Sequence, residues 1–265
     1  MIISASRRTD IPAFFAGWFM EKIRAGAVQV SNPFNPRQIR TVSLRPEDVD
    51  GIVFWSKNPS PLMPHLRELN SGYTFYFQFT ITIYGREFEP GLPAKEEVIA
   101  TFKRLSEQLG RERVIWRCDP FIFRRGESPE AMLEKWHQLA EELAPYTEKC
   151  IFSFVDFYAK CRKPLTAVDA FEPQLSAKID FARRIASGCR ELNITPHTCA
   201  EALPLAELDI TPAACIDKVL LSRLSGKPLA VPRAAHQRKE CGCAASIDIG
   251  TYGSCSHKCI YCYAK

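Results

Sequence analysis

The sequence has no apolar run approaching the ~18 residues of a membrane span, which argues against a helical membrane protein and against a membrane partner. Its first residues, Met1-Ile-Ile-Ser-Ala-Ser-Arg7-Arg8, lack the signal-peptide order of charge followed by an apolar stretch. The expectation is a cytoplasmic protein. There is no internal repeat and no low-complexity linker. An excess of one charge sign is also missing: 35 Lys and Arg against 30 Asp and Glu leave a net +5. That balance permits a nucleic-acid partner without arguing for one, because solubility alone explains it.

What the chain does have is cysteine. Its 265 residues, 46% hydrophobic and 25% charged, suit a soluble globular protein of one large domain or two small ones, expected to be a monomer. In the cytoplasm, eleven cysteines favour metal or redox chemistry over disulfides. Three of them stand at C-x3-C-x2-C spacing in Cys255-Ser-His-Lys-Cys259-Ile-Tyr-Cys262. One turn can aim three such thiolates at one centre. Three soft ligands suit a cubane iron–sulfur cluster with one open iron, or a zinc site completed by a fourth ligand. A structural zinc knuckle and three unrelated thiols are the plainer readings.

Upstream, strand and helix patterns alternate. Apolar runs at Met1–Ala5, Ala27–Val30, Ile52–Trp55, Tyr73–Ile83, Val114–Trp116, Cys150–Val155 and Ile194–His197 read as strands. Helical spacing marks a helix from Asp10 to about Arg24, then Glu96–Leu109, Pro129–Leu143 and Pro173–Leu192. In the last of these, Leu175, Ile179, Ile185 and Cys189 are expected to face inward. This order predicts an α/β fold with parallel β-α units, a partial or full (β/α) barrel over residues 1–198. Residues 199–265 read as a cysteine-rich appendage carrying the last strand. Parallel barrels place ligands at the C-terminal ends of strands. Ser31, Lys57, Thr80, Thr82, Arg117, Asp119 and Asp156 are therefore the polar residues to inspect. Lys57 could hold a carboxylate or phosphate as a point charge, and Arg117 could hold one bidentately. The plainer alternative is that both pair with Asp119, Asp156 or Glu89 and tie loops together.

The cysteine spacing, with Tyr261 before the third cysteine, resembles that of the radical S-adenosylmethionine (SAM) enzymes. The segments Ser56-Lys-Asn-Pro, Phe79-Thr-Ile-Thr, Phe88-Glu-Pro-Gly and Val114-Ile-Trp-Arg-Cys-Asp-Pro resemble consecutive strands of the spore photoproduct lyase group of that superfamily. The whole chain resembles the DUF1848 family, in the Asp248-Ile-Gly-x-Tyr pattern that leads to Tyr261-Cys-Tyr-Ala264. The superfamily carries its cluster loop before these strands, so the resemblance implies a circular permutation, with Ser246–Gly250 as the barrel's first strand. It also implies Cys255, Cys259 and Cys262 as ligands of a [4Fe-4S] cluster and Tyr261 beside the SAM adenine. Ser31, Lys57 and Thr80 are implied as SAM contacts, with Arg117 as a weaker addition. A reductant such as flavodoxin or ferredoxin would supply the electron. SAM cleavage would yield a radical that takes hydrogen from an unidentified substrate. The usual Gly-Gly-Glu segment is missing, and the lyase's own catalytic cysteine has no counterpart here.

Cys199, Cys215, Cys241 and Cys243 form a second set, for which a further [4Fe-4S] cluster, zinc and unpaired buried thiols are all open. Cys118, Cys150, Cys161 and Cys189 read as core or incidental. His197, His257, Glu201 and Asp248 are lesser candidates for the mouth. The rival function class is a non-catalytic iron–sulfur or zinc protein acting as a binding module, with nucleic acid as one candidate ligand.

Overall fold

A computed structural model describes residues 1–265. Its strands are β1 (Ile2–Ala5), β2 (Ala27–Asn32), β3 (Asn35–Ser43), β4 (Gly51–Ser56), β5 (Phe75–Thr80), β6 (Val114–Phe121), β7 (Lys149–Phe154), β8 (Thr195–Thr198), β9 (Thr211–Pro212) and β10 (Ile247–Asp248). The α-helices are α1 (Ile11–Phe14), α2 (Ala16–Ala25), α3 (Leu66–Asn70), α4 (Lys95–Leu109), α5 (Pro129–Leu143), α6 (Ala159–Ala167), α7 (Leu175–Glu191) and α8 (Lys218–Ser225). Eight strands form one sheet in the order β10-β1-β4-β5-β6-β7-β8-β9. Every neighbouring pair is parallel. The edge strands β10 and β9 do not pair with each other, so the sheet is open and compatible with a partial β/α barrel.

Successive side chains on a strand point to opposite faces, and the two faces here carry different chemistry. One face presents Ile3, Ile52, Phe54, Phe75, Phe77, Trp116 and Phe152 to the helices, in a core of 49 buried residues. The other begins apolar, with Ile2, Val53, Tyr76, Ile115 and Ile151 under α8. Toward the C-terminal ends of the strands it becomes polar, through Gln78, Thr80, Arg117, Asp119 and Ser153.

Three expectations need correction. The helix from Asp10 is two helices, broken at Phe15, with Asp10 capping the first through the Ala13 N–H at 2.9 Å. Ala27–Val30 is a strand, but it belongs to an antiparallel β2–β3 hairpin outside the main sheet. Its alternation, with Val28 and Val30 buried and Gln29 and Ser31 exposed, is that of a half-solvated hairpin rather than a strand buried on both faces. Leu175 is 58% exposed, because it starts α7 ahead of the stretch that packs on the sheet.

The first and last strands are joined by one buried carboxylate. Asp248 accepts hydrogen bonds from the Ser4 and Ser6 hydroxyls, each at 2.6 Å, from the Arg7 N–H at 2.8 Å and from the Gly250 N–H at 3.0 Å. Gly250 is required beside it, since a Cβ there would lie 2.1 Å from the Ser6 oxygen. Asp248→Ala strands several buried donors at once and is expected to lower the unfolding free energy by on the order of 3 kcal/mol. Urea denaturation measures this, with exposed Glu107→Ala on α4 as a control expected within about 0.5 kcal/mol of the parent.

Candidate functional site

The cysteine loop leaves the C-terminal end of β10 and is clasped from two sides. His257 is buried, and its Nε2 lies 2.7 Å from Asp10 Oδ2. The same Asp10 oxygen accepts the Lys57 backbone N–H at 2.7 Å, just past β4. One side chain therefore links the first helix, the end of β4 and the loop. From the other side, Gly91 N–H donates to the His257 carbonyl at 3.0 Å, and Ile260 N–H donates to the Phe88 carbonyl at 2.9 Å. A Cβ at Gly91 would stand 2.5 Å from the Ser256 carbonyl oxygen, so the Phe88–Gly91 segment can approach only because that residue is glycine.

Glu89, in the same segment, is buried and binds two site residues. Lys57 Nζ lies 2.7 Å from its Oε1, and the Tyr261 hydroxyl donates to the same oxygen. Lys57 also sits over the Tyr261 ring, 5.6 Å from its centroid. Burial works against the Glu89 charge, but the Lys57 charge and the bonds from Lys57 and Tyr261 outweigh it and hold its pKa below the usual value. Burial likewise opposes the Lys57 charge, and Glu89 more than restores it. Of the two readings open from sequence, the structure shows Lys57 paired with Glu89. Burial pushes the Cys259 thiol up to about 12 despite the nearby Lys57 ammonium.

Arg117 is only 5% exposed. Its guanidinium pairs with Asp119 and also donates to Cys215 Sγ at 2.9 Å and to Gln78 Oε1 at 3.3 Å. It thus faces the second cysteine set, not a free position at the mouth. That set is assembled: Cys199 and Cys215 sulfurs are 3.6 Å apart, and Cys243 makes hydrogen-bonding contact with both Cys215 and Cys241. The Cys243 contact draws the Cys241 thiol down to about 6.

All seven thiols of the two sets line one cavity of about 620 Å³, together with Lys57, Thr80, Arg117, Asp119 and Tyr261. No three Cys, His, Asp or Glu side chains converge closely enough to hold a single metal ion. The fit of a metal group therefore rests on donor chemistry: soft thiolates gathered on one wall are of the kind that bind iron–sulfur clusters or zinc. Ser31 is not among the lining residues. It is exposed on the β2–β3 hairpin, so its expected place at a barrel strand end is corrected. Cys118, Cys150, Cys161 and Cys189 are buried away from this wall. His197 is half-buried with its Nε2 unpartnered, and Glu201 accepts the Phe154 N–H at 2.8 Å. Sequence reasoning missed the contacts of Asp10 with His257 and Lys57, since Asp10 read only as the start of a helix, and the serines on Asp248. Neither carries a spacing signal.

The profile of a family described as "Domain of unknown function (DUF1848)" matches residues 2–264. The chain belongs to the DUF1848 family. No curated protein and no solved structure matches it. This DUF1848 chain has no helix long and apolar enough to cross a membrane.

Lys57→Met leaves the Glu89 carboxylate buried without its cation. It is expected to destabilise the fold by about 3–5 kcal/mol. Adding Glu89→Gln should recover most of the loss. Thermal melts of the single and double variants measure both, and a single variant as stable as the parent would show the pair to be dispensable.

Proposed function

We propose that this chain is a radical SAM enzyme whose partial barrel is circularly permuted, with the cluster loop following the last strand in the chain and the first in the sheet. The carrying observation is where that loop stands. C-x3-C-x2-C follows β10 directly, at the C-terminal ends of parallel strands, where such sheets bind ligands. Placing β10 ahead of β1 turns the sheet order β10-β1-β4-β5-β6-β7-β8-β9 into simple chain order, as the permutation requires.

Cys255, Cys259 and Cys262 would hold a [4Fe-4S] cluster, leaving one iron for SAM. When bound, these groups supply one-electron reductive cleavage of SAM and hydrogen abstraction from a substrate. The chain's own residues orient and enclose. Tyr261, fixed by its bond to Glu89, offers a ring wall for the adenine. Thr80 lines the cavity and offers a hydroxyl. Lys57 holds Glu89 and Tyr261 in place, so its part is to position the wall. Arg7 lines the same cavity over the Trp55 ring and makes no ion pair, which suits it to a carboxylate.

Protein reconstituted with iron and sulfide without oxygen is expected to be brown and, with dithionite, to convert SAM to 5′-deoxyadenosine, read by chromatography. The variant with Cys255, Cys259 and Cys262 all changed to Ala should lose about four irons and all SAM cleavage. Colourless wild-type protein carrying stoichiometric zinc, or cleavage that survives in the variant, overturns the proposal.

A further inference from the structure

The second thiol set is a built site in its own right. Cys199 follows β8 and Cys215 follows β9, while Cys241 and Cys243 come from the segment before β10. That segment is held by Ala234 N–H on the Cys243 carbonyl at 2.9 Å and by the Arg233 guanidinium on the Cys241 carbonyl at 2.7 Å. Two side chains of β5 fix Cys215, the Tyr76 hydroxyl at 2.7 Å and the Gln78 amide at 3.1 Å, both on its carbonyl oxygen. Arg117 then reaches its sulfur. Distant parts of the chain thus converge on four thiols, with a buried cation aimed at one of them.

We propose that Cys199, Cys215, Cys241 and Cys243 hold a second [4Fe-4S] cluster, and that Arg117 raises its reduction potential. Two features favour a cluster over zinc. Structural zinc sites are closed, whereas these thiols line the large cavity. The cavity also places them on one wall with the loop cysteines, where an electron carrier has a use and a zinc staple has none. A guanidinium donating to a ligand sulfur stabilises the more negative, reduced cluster, so it shifts the potential upward. Asp119 holds that guanidinium in place, making Arg117 a positioning and tuning residue.

The test uses the Cys255/Cys259/Cys262→Ala variant as background, so that the loop contributes nothing and its failure is read separately. After anaerobic reconstitution this protein is expected to keep about four irons and as many sulfides per chain. Dithionite should produce a cluster electron paramagnetic resonance signal. Further change of Cys215 and Cys243 to Ala should remove both iron and signal. Zinc in place of iron, no metal, or iron that survives the further change overturns the site. For Arg117, potentiometric titration of the same signal is read in Arg117→Met and in the milder Arg117→Lys. Both are expected to keep the iron and to lower the midpoint potential, Met more than Lys. An unchanged midpoint in the folded variants overturns the tuning role.

Discussion

The buried Asp248 carboxylate is the constraint on which the rest of the structure depends. A charge removed from water must be paired or hydrogen-bonded, and Asp248 finds its donors in Ser4, Ser6 and Arg7 of the other end of the chain. Satisfying it fixes β10 beside β1 and so decides where the next residues go. Those residues are the cysteine loop. The short β10–β1 pairing could not hold that register alone: only Ile3 with Ile247 and Ser4 with Asp248 are matched. The polar knot makes the edge of the sheet specific where apolar area is scarce.

From that edge, the strands divide the labour by alternation. The helix-facing side needs only volume and apolarity, and its phenylalanines and tryptophans supply both. The opposite side must be covered near the N-terminal ends of the strands and functional near their C-terminal ends. Gly51 illustrates the first requirement: a Cβ there would meet Leu221 of α8 at 2.6 Å. Arg117 and Asp119 illustrate the second, two positions apart on one strand and so on one face. The same residue spacing gives a closed floor and a polar mouth.

This alternation is why much of the fold was legible in the sequence. Continuous apolar runs such as Gly51–Ser56 and amphipathic helices such as Pro129–Leu143 carry their own period. The hairpin was not legible as such, because β3 has almost no buried residues and its partner β2 looks like any short strand. Ser31 was misplaced for that reason. The division of seven thiols into two sets was read from cysteine spacing and from their shared stretch of chain, but that both sets line one cavity was not. Nor was Arg117 beside Cys215, because the contact joins residues 98 apart. The Lys57–Glu89 pair was one of several possible partners in sequence, and only the loop geometry selects it.

The two thiol sets share an electrostatic plan. Beside Cys259 stands the Lys57 ammonium, held by Glu89, and beside Cys215 stands the Arg117 guanidinium, held by Asp119. Each pair is close to neutral, so it can be buried without the cost of an isolated charge. Each still presents its cation to a sulfur of its set. Thiolates gathered in a cavity repel one another and are costly to desolvate, as the upward push on Cys259 reflects. A fixed cation at each set offsets part of that cost in a direction a mobile counter-ion could not. Such preorganised charge is redundant for neutral thiols, which need no cation. It suits sites whose sulfurs carry charge in the working protein.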